Sequence, residues 1–448
     1  MNIYFIPLTE GKFIIYLPLK KLAFVGNASM VDLIKSLDKE TADKVRNTNK
    51  EVISFLEGIG FFTPDHKFMP KMSLSEVFNP TVAVLCLTNS CNFRCIYCYA
   101  DGGVFTPCTL SKSVGQIAID TVYNNTKFKG EKEFTLGFHG GGEPTLKWDL
   151  FKHFVQYARE KDIPSKITVA SNGYWSKEKR KWIIDNLDSV SLSFDGIEKI
   201  HNVQRPLANN KNSFSTTFHT IQEMDKNNFS YGIRLTVTDS SINFLEESIS
   251  FLCRETACQV FQVEPAFGYG RAIKNNTVLT NNKKFVKIFL KAFDIASENG
   301  RHLYYSGARP WVITNYFCSA PLNALIVTPE NDVSACYEVC NKVHPLHKRF
   351  FIGEINSEKY AIFETKREQF FDQLDERKRL CRRCFCYWHC AGDCPSKIFK
   401  DGNDIRPYSS ERCKTNQEIT KGLLLRYISS SNGVWTGKFY HDSLIFGL

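Results

Sequence analysis

The sequence predicts an α/β protein with a parallel sheet, followed by a separate cysteine-rich part. Six strand-like segments alternate with six helix-like segments between residues 82 and 297. Nine of the sixteen cysteines follow residue 310, where the alternation stops. Strand and helix alternation implies right-handed crossovers and therefore a parallel sheet. At about 35 residues per pair, the period fits a barrel or partial barrel, and a doubly wound sheet fits it equally well.

The six pairs are assigned from the pattern of apolar residues along the chain. The predicted strands are residues 82–87, 134–138, 166–170, 189–194, 232–236 and 260–264. The predicted helices are residues 112–124, 148–160, 177–186, 215–227, 244–253 and 283–297.

The whole chain divides into four predicted parts. Residues 1–78 predict a small α+β domain, with strands near residues 4–5 and 13–17, helices at 30–37 and 51–56, and a polar linker from residue 63 to residue 80. The parallel sheet occupies residues 79–309 and the cysteine-rich domain occupies residues 310–414. Residues 415–448 predict a helix that ends at Tyr427, followed by a tail.

The composition excludes several classes of protein. With 43% hydrophobic and 23% charged residues, the chain is typical of a globular protein rather than of a disordered or fibrous one. No apolar run reaches the roughly 18 residues of a membrane span, and the first residues lack the pattern of a signal peptide, so we expect a cytoplasmic protein with no membrane partner. The net charge of +10 is spread along the chain, as on a solvated surface. In a reducing compartment, sixteen cysteines indicate metal ligation rather than disulfides.

Three cysteines follow the first predicted strand. Cys91, Cys95 and Cys98 stand in the segment CNFRCIYC, with CxxxCxxC spacing. A structural zinc site requires four protein ligands, whereas a 4Fe–4S cluster held by three cysteines leaves one iron open to another ligand. Loops that follow the strands of an α/β barrel carry its active site, and this segment falls on such a loop. The spacing therefore favours a catalytic iron–sulfur site.

Polar motifs also follow the next strands. The segment FHGGGEPTL ends the second strand, and its glycines permit close approach of the backbone to a ligand. The third strand ends at Ser171 and Asn172, the fourth ends at Ser193 and Asp195, and the fifth carries Arg234. Motifs at the ends of several neighbouring strands indicate one common site.

With Tyr97 as the aromatic residue of a CxxxCxΦC motif, and with GGEP at residues 141–144, the sequence resembles the radical S-adenosylmethionine (SAM) superfamily. The resemblance implies a partial (β/α)6 TIM-like barrel in which Cys91, Cys95 and Cys98 hold a 4Fe–4S cluster and are catalytic. The open iron then binds SAM, which is cleaved to methionine and a 5′-deoxyadenosyl radical. The residues implied in SAM binding are Tyr97, Gly141, Gly142, Glu143, Ser171, Asn172, Ser193, Asp195 and Arg234.

Two charged groups have expected roles by this resemblance. Glu143 accepts a hydrogen bond from the SAM amino group. Arg205 and Arg234 are candidates to bind a carboxylate of SAM or of the substrate, since a guanidinium binds a carboxylate bidentately, or to form structural ion pairs.

The C-terminal cysteines form a second pattern. The segment CRRCFCYWHCAGDC has Cx2Cx5Cx3C spacing, which alone predicts a zinc ribbon. After a radical SAM barrel it resembles the SPASM domain, which implies two auxiliary 4Fe–4S clusters. The ligands implied for one cluster are Cys381, Cys384, Cys390 and Cys413, and those for the other are Cys318, Cys336 and Cys394, with Cys340 or an open position as the fourth.

The remaining features of this pattern concern single residues. Asn331 stands where the SPASM pattern has a glycine, and asparagine tolerates the left-handed conformation that a turn requires there. Cys386 is expected to be a spare thiol. The cysteines expected to be small, buried and inert are Cys86, Cys108, Cys253 and Cys258.

SPASM-containing radical SAM enzymes mostly modify peptides and proteins. The N-terminal domain also resembles the leader-binding portion of enzymes that mature ribosomally made peptides, where an edge strand would pair with an extended leader. We therefore expect a radical SAM oxidoreductase that installs C–C (cyclophane) or aryl ether crosslinks at aromatic residues of a precursor peptide. Its expected reductant is flavodoxin or ferredoxin, and no nucleic-acid partner is expected.

Three alternatives stay open at this point. A thioether-forming maturase of the sactipeptide type and an anaerobic sulfatase-maturing enzyme belong to the same class. A zinc-stabilised nucleic-acid-binding protein belongs to another class, and its basic charge would contact phosphates.

Overall fold

The computed structural model describes residues 2–37, 49–65, 78–356, 360–399 and 410–437. The elements described in its N-terminal unit are β1 Tyr4–Pro7, β2 Lys12–Leu17, β3 Leu22–Asn27, α1 Ala28–Ser36 and α2 Lys50–Gly58. The three strands are antiparallel, and the Asn27 side chain caps α1 by accepting a hydrogen bond from the Met30 N–H. Most of the predicted linker at residues 63–80 lies outside the described residues.

The sequence did not predict β3. Residues Pro18–Lys20 form a short 3-10 helix and Lys21 has a left-handed backbone, with φ of 48°, so the chain turns back and β3 pairs with β2. Both faces of this sheet are buried. Phe24 packs among side chains of α1 and α2, whereas Tyr16 belongs to the core shared with the rest of the chain.

All six predicted strand and helix pairs are present in the next part of the chain. The strands are β4 Val82–Leu85, β5 Phe134–Phe138, β6 Ser165–Ser171, β7 Ser189–Ser193, β8 Tyr231–Val237, β9 Val260–Pro265 and β10 His302–Tyr304. The helices are α3 Lys112–Lys129, α4 Trp148–Arg159, α5 Lys177–Asn186, α6 Glu198–Gln204, α7 Phe214–Lys226, α8 Leu245–Glu255, α9 Arg271–Lys274 and α10 Asn282–Glu298. Sequence patterning did not predict α6, α9 or β10, which are at most seven residues long.

The cysteine-rich part contains shorter elements. In chain order these are α11 Ala320–Asn323, β11 Ala324–Val327, β12 Asp332–Ser334, α12 His347–Phe350, β13 Phe351–Ile355, β14 Tyr360–Ile362, α13 Glu364–Leu380, α14 Tyr387–Cys390, α15 Pro395–Ile398, α16 Glu411–Ser430 and β15 Val434–Trp435. The last long helix, α16, runs across the predicted domain boundary between residues 414 and 415.

Within the described residues, eleven strands form one continuous sheet in the order β10-β9-β8-β7-β6-β5-β4-β11-β12-β13-β14. Neighbouring strands are parallel from β10 through β11 and antiparallel from β11 through β14. The prediction of an α/β fold with a parallel sheet is therefore confirmed, and the cysteine-rich part extends that sheet through β11. No helix in the described ranges is both long enough and apolar enough to cross a bilayer.

The parallel sheet positions the functional loops. Leu85, Leu136 and Val169 belong to one buried core that fixes β4, β5 and β6 between the helices. Because the carboxyl ends of parallel strands meet at one edge, the loops that follow these strands gather there.

The C-terminal strand β15 joins the N-terminal sheet by pairing antiparallel with β3. Its Trp435 is 1% exposed and stacks on Tyr427 of α16, with ring centroids 5.5 Å apart. Tyr16 of β2 also contacts this indole, with ring centroids 6.4 Å apart. One buried indole thus connects β2, β3 and α16.

We expect Trp435→Ala to destabilise the N-terminal unit by about 3–5 kcal/mol, because it removes a fully buried aromatic side chain and leaves a cavity. Urea unfolding and amide hydrogen exchange of β3 measure the effect. Phe128→Ala is the matched control, since Phe128 is 83% exposed and its truncation should change stability by less than about 0.5 kcal/mol. Equal stability of the two variants would contradict this account of the N-terminal unit.

Candidate active site

The three predicted cluster cysteines lie on the loop that follows β4. Arg271 Nε donates to Cys95 O at 2.8 Å, and the Arg94 N–H donates to Pro206 O at 2.7 Å. Arg94 Nη1 also donates to Cys91 O at 2.8 Å. Contacts from several loops therefore fix the backbone of the cysteine loop, as a preorganised ligand site requires.

The thiols of Cys91, Cys95 and Cys98 lie in one cluster with Phe93 and Leu207. Burial, and then the neighbouring thiol of Cys95, raise the pKa of Cys91 to about 12. Burial also raises the pKa of Cys95 to about 11. Only thiolates ligate metals, so a cationic centre bound here takes the place of the thiol protons. The mutual proximity of the three thiols fits such a centre.

The loop after β5 packs directly on the cysteine loop. The N–H of Gly142 donates to Thr88 O at 2.7 Å, and the N–H of Glu143 donates to Ser90 O at 2.9 Å. Gly141 has a left-handed backbone, with φ of 70°. A side chain at residue 142 would place its Cβ 1.9 Å from Ser90 O, so only glycine fits at this close approach.

We expect Gly142→Ala to separate these two loops and to reduce the iron content by about one cluster per chain, because its Cβ clashes with the backbone of Ser90. Iron analysis after anaerobic reconstitution measures the loss. Gly58→Ala is the control, because a Cβ at Gly58 meets no atom within 4 Å. A Gly142→Ala chain with the full iron content would show that the close approach is not needed for the site.

Glu143 is a buried carboxylate that is held by its neighbours. Its Oε1 accepts from the Thr145 N–H at 3.2 Å, from Thr145 Oγ1 at 2.7 Å and from Ser171 Oγ at 2.7 Å. Its Oε2 accepts from the Asn172 N–H at 2.9 Å. Since a carboxylate has about four acceptor positions, Oε2 keeps capacity for an ammonium group. Ser171 and Asn172 therefore orient Glu143.

Tyr97 connects two charged residues. Its hydroxyl donates to Asp195 Oδ2 at 2.6 Å and accepts from Arg205 Nη1 at 2.8 Å. Asp195 also accepts from Gln204 Nε2 at 2.8 Å and from the Thr236 N–H at 3.1 Å. Burial raises the pKa of Asp195, although Arg205 counteracts it. Both oxygens of Asp195 accept hydrogen bonds from these protein groups. We therefore infer that Asp195 positions Tyr97.

Most predicted SAM-binding residues surround one cavity of about 360 Å³. Ligand pockets typically have volumes of roughly 300–1,000 Å³, so this cavity is large enough for one small-molecule ligand. The predicted residues that line this cavity are Cys91, Cys95, Tyr97, Cys98, Gly141, Gly142, Glu143, Ser171, Asn172, Ser193 and Arg234. Arg205 lines it as well, whereas Asp195 does not line it.

A second cavity meets the first along a shared wall. The side chains that line both are His139, Arg234, Gln262, Ser306, Phe317, Glu338 and Cys394. Cys318, Cys336 and Cys394 line the second cavity. The three cysteines predicted to hold one auxiliary cluster therefore face a space that adjoins the predicted SAM site. Asn331, on the turn before Cys336, has the predicted left-handed backbone, with φ of 66°.

The other predicted cysteine set surrounds a separate, small cavity. The cysteines that line it are Cys381, Cys384, Cys386, Cys390 and Cys413. Cys386, which the sequence analysis left out of the set, thus stands at the same wall. Its Sγ also donates to Thr420 Oγ1 at 3.5 Å.

Cys340 lies outside the second cavity. Its Sγ donates to Tyr337 O at 2.7 Å, whereas the Sγ of Cys86 donates to His139 O at 2.9 Å. A Cβ on Gly140 would lie 2.6 Å from the Cys340 sulfur and 2.9 Å from the Cys86 sulfur, so the two thiols are neighbours behind this glycine. The structure therefore brings Cys340 to Cys86, and Cys318 packs against the same buried cluster.

No group of three or more His, Cys, Asp and Glu side chains in the described ranges has the arrangement of a single-ion site. The cysteine sulfurs of a zinc site all lie about 2.3 Å from one ion.

Several residues that line the first cavity were not predicted. Glu264 ends β9, and this position at the end of the sixth strand was a usable signal. Glu338 stands two residues after Cys336, inside a segment read for its cysteines alone. Lys397 and Arg412 come from the cysteine-rich part, where no spacing marks them.

The sequence comparisons identify the domain that carries this site. Residues 85–250 match the Radical SAM superfamily. The chain contains a radical SAM domain. The match runs from the last residue of β4 to the middle of α8, and so includes the cysteine loop, the Gly142 loop and Glu143.

Two of the relatives of the radical SAM domain are named as maturation enzymes. The cysteine-type anaerobic sulfatase-maturating enzyme of Clostridium novyi is 25% identical over 193 residues, which are 41% of this chain and 49% of that protein. The sporulation killing factor maturation protein SkfB of Bacillus subtilis is 26% identical over 199 residues, which are 44% of this chain and 45% of that protein. The chain spans about half the length of the curated relatives it matches.

A solved structure shares the fold over a longer stretch. Native anSMEcpe with bound AdoMet and Cp18Cys peptide superimposes with a TM-score of 0.60 at 18% identity, and the match covers 78% of this chain and 99% of that one. At this identity the likeness concerns the fold, which is α/β with a mostly parallel sheet.

A radical SAM domain implies SAM and a 4Fe–4S cluster, and the residues present fit both groups. The three cysteines lie together, and three thiolates would leave one iron of a 4Fe–4S cluster open to another ligand. Glu143 supplies acceptor capacity for an ammonium group beside them, and the glycines leave the backbone accessible.

Proposed function

We propose that this protein is a radical SAM maturase that modifies a peptide or protein substrate. The observation that carries the proposal is the shared wall between two cavities, one lined by Cys91, Cys95 and Cys98 and the other by Cys318, Cys336 and Cys394. A substrate side chain in the first cavity lies next to both cysteine sets. This arrangement suits an oxidation in which one site removes a hydrogen atom and the other receives an electron.

The chain's own residues prepare the first cavity for this chemistry. A 4Fe–4S cluster held there would supply the electron for cleavage of SAM. Glu143 would orient the amino group of SAM through Oε2, and Ser171 and Asn172 hold that carboxylate in place. Tyr97, fixed by Asp195 and Arg205, closes the wall beside the thiols.

The substrate class is inferred from the relatives and from the N-terminal unit. SkfB and the sulfatase-maturating enzyme are both named for maturation of another polypeptide, and anSMEcpe was solved with a peptide bound. In the described residues, the N-terminal sheet has the order β1-β2-β3-β15, with β1 and β15 at its edges. Edge strands are the usual site of addition of an extended peptide.

At the finer level, we propose that the product is a C–C or aryl ether crosslink at aromatic residues of a ribosomally made precursor peptide. Auxiliary 4Fe–4S clusters at the two C-terminal cysteine sets would carry away the electron that this bond formation releases, and flavodoxin or ferredoxin would supply the first one. Each crosslink removes two hydrogen atoms, one to 5′-deoxyadenosine and one as a proton with its electron.

A second candidate is favoured by the relative from Clostridium novyi, which is a sulfatase-maturating enzyme. Under this candidate, a Cys or Ser side chain is oxidised to formylglycine at the same cavity. A thioether-forming maturase is the third candidate, and it consumes one thiol per bond.

The test is anaerobic reconstitution, followed by reaction with SAM, dithionite and the peptide encoded by a short reading frame beside this gene. Iron of about twelve atoms per chain and formation of 5′-deoxyadenosine are expected. Mass spectrometry of the peptide should show a loss of two hydrogen atoms per crosslink, with no reaction towards hydroxylamine and no loss of alkylatable thiols.

The other outcomes separate the candidates. Reaction with hydroxylamine reveals an aldehyde and favours formylglycine formation. Loss of one alkylatable thiol per bond favours a thioether. A chain that binds stoichiometric zinc and does not cleave SAM overturns the proposal and favours the nucleic-acid-binding alternative.

A further inference from the structure

Glu338 stands at the wall between the two cavities, and its position bears on the first auxiliary site. Its side chain lines both cavities, together with Cys394. Ser396 Oγ lies 2.6 Å from Glu338 Oε2 and 3.3 Å from Cys394 Sγ, so one hydroxyl contacts the carboxylate and the sulfur. The carboxylate is therefore a close neighbour of the predicted ligand Cys394.

Glu338 also lies near the other two predicted ligands: it follows Cys336 by two residues in the chain, and Cys318 faces the same cavity as Cys336 and Cys394. These three cysteines and Glu338 line the same cavity. The structure thus assembles three thiols and one carboxylate around a single space.

One oxygen of this carboxylate is available. In the described part of the chain, both side-chain hydrogen bonds of Glu338 end on Oε2, from Ser396 Oγ and from Lys397 Nζ, each at 2.6 Å. Carboxylates that ligate metals are characteristically hydrogen-bonded by neighbouring groups. Lys397 also compensates the negative charge. Oε1 therefore has lone pairs available to bind iron. Oε2 accepts the kind of hydrogen bonds that hold a ligating carboxylate in place.

Two other side chains near this space are poorer ligands. Cys340 is paired with Cys86 behind Gly140 and does not line the cavity. His139 Nε2 lies 3.3 Å from Arg234 Nη1, and arginine only donates, so Nε2 is the acceptor and the neutral ring carries its hydrogen on Nδ1. Cys340 packs in one buried cluster with Cys318, so it is the rival ligand that the test must separate from Glu338.

We propose that Glu338, through Oε1, is the fourth iron ligand of the auxiliary cluster held by Cys318, Cys336 and Cys394. The inference rests on the proposed function in one respect, since it requires a cluster at these cysteines. Carboxylate oxygens are common ligands of protein-bound iron. With this ligand the cluster is fully coordinated by the chain, and the substrate does not bind to it.

The test uses ¹³C-cyanide as a probe of open iron positions. The full chain is reconstituted, reduced with dithionite and saturated with SAM, which blocks the open iron of the radical SAM cluster. Electron–nuclear double resonance then shows whether ¹³C couples to a cluster. We expect no ¹³C coupling in the wild type, coupling in Glu338→Gln, and none in Cys340→Ser, which is the matched control.

A rescue variant keeps the test decisive if Glu338→Gln loses the cluster. In Glu338→Cys a thiolate replaces the carboxylate, so we expect wild-type iron content and no ¹³C coupling. Coupling in the SAM-saturated wild type would show an open iron, and coupling in Cys340→Ser but not in Glu338→Gln would assign the ligand to Cys340. Each result overturns the proposal, as does a Glu338→Cys chain that lacks the cluster.

The failure of this inference is distinguishable from failure of the proposed function. A wild-type chain with about twelve irons that cleaves SAM, but has an open auxiliary iron, overturns only the role of Glu338. A wild-type chain with about four irons has no auxiliary clusters, and both proposals fall.

Discussion

Replacement of Cys95 by alanine should abolish SAM cleavage, with a loss of at least about 1,000-fold in the rate of 5′-deoxyadenosine formation. Cys95 is one of three thiols that lie together on the loop after β4. Two remaining thiols leave two irons without a protein ligand, so the cluster is not retained. The same loss is expected for Cys91→Ala and Cys98→Ala, because the three thiols have equivalent roles.

The two C-terminal cysteine sets line other cavities, so Cys95→Ala should keep about eight of about twelve irons. Cys253→Ala is the control, because Cys253 lies on α8 and lines none of the three cavities described above. It should keep both the iron content and the cleavage rate. SAM cleavage by a Cys95→Ala chain at the wild-type rate would remove this thiol from the catalytic site.

Glu143→Gln should weaken SAM binding by about 100-fold, which corresponds to about 2.7 kcal/mol. A carboxamide presents only one acceptor oxygen, whereas Glu143 already accepts from Thr145, Ser171 and Asn172. The new NH₂ group would face a donor, and the charge that attracts an ammonium group would be lost. Equilibrium binding of SAM to the anaerobically reconstituted chain measures the effect.

The control for this prediction is Glu160→Gln at the exposed end of α4, which should leave SAM affinity unchanged. The iron content should be the same in both variants, because neither Glu143 nor Glu160 is a predicted ligand of a cluster. Unchanged SAM affinity in Glu143→Gln would mean that this carboxylate serves the protein's own hydrogen bonds and does not contact SAM.

The alternating part of the fold was predictable from the sequence because its strands are buried runs and its helices have clear amphipathic faces. The bounds of β5 and α5 agree with the prediction residue for residue. By contrast, β3 depends on a left-handed Lys21, and β15 depends on the packing of Trp435 against distant rings. Neither feature leaves a periodic signal in the sequence.

The candidate site divides in the same way. The motifs predicted that Cys91, Cys95 and Cys98 lie near Glu143, and all four residues line the same cavity. Glu338 was not predicted, because it is marked only by its position between two cavities. That position depends on the tertiary structure and leaves no pattern in the sequence. Cys340, which the resemblance gave as one possibility for the fourth ligand, has its sulfur behind Gly140 and beside that of Cys86, and its role stays a prediction.

We predict that Cys91, Cys95 and Cys98 hold a cluster whose fourth iron position is open to SAM. The most direct measurement is the electron paramagnetic resonance spectrum of the dithionite-reduced chain before and after addition of SAM. The account predicts that SAM shifts the signal of one cluster in the wild type and that this signal is absent from the Cys91→Ala chain. A reduced, iron-replete chain whose spectrum does not change with SAM would contradict it.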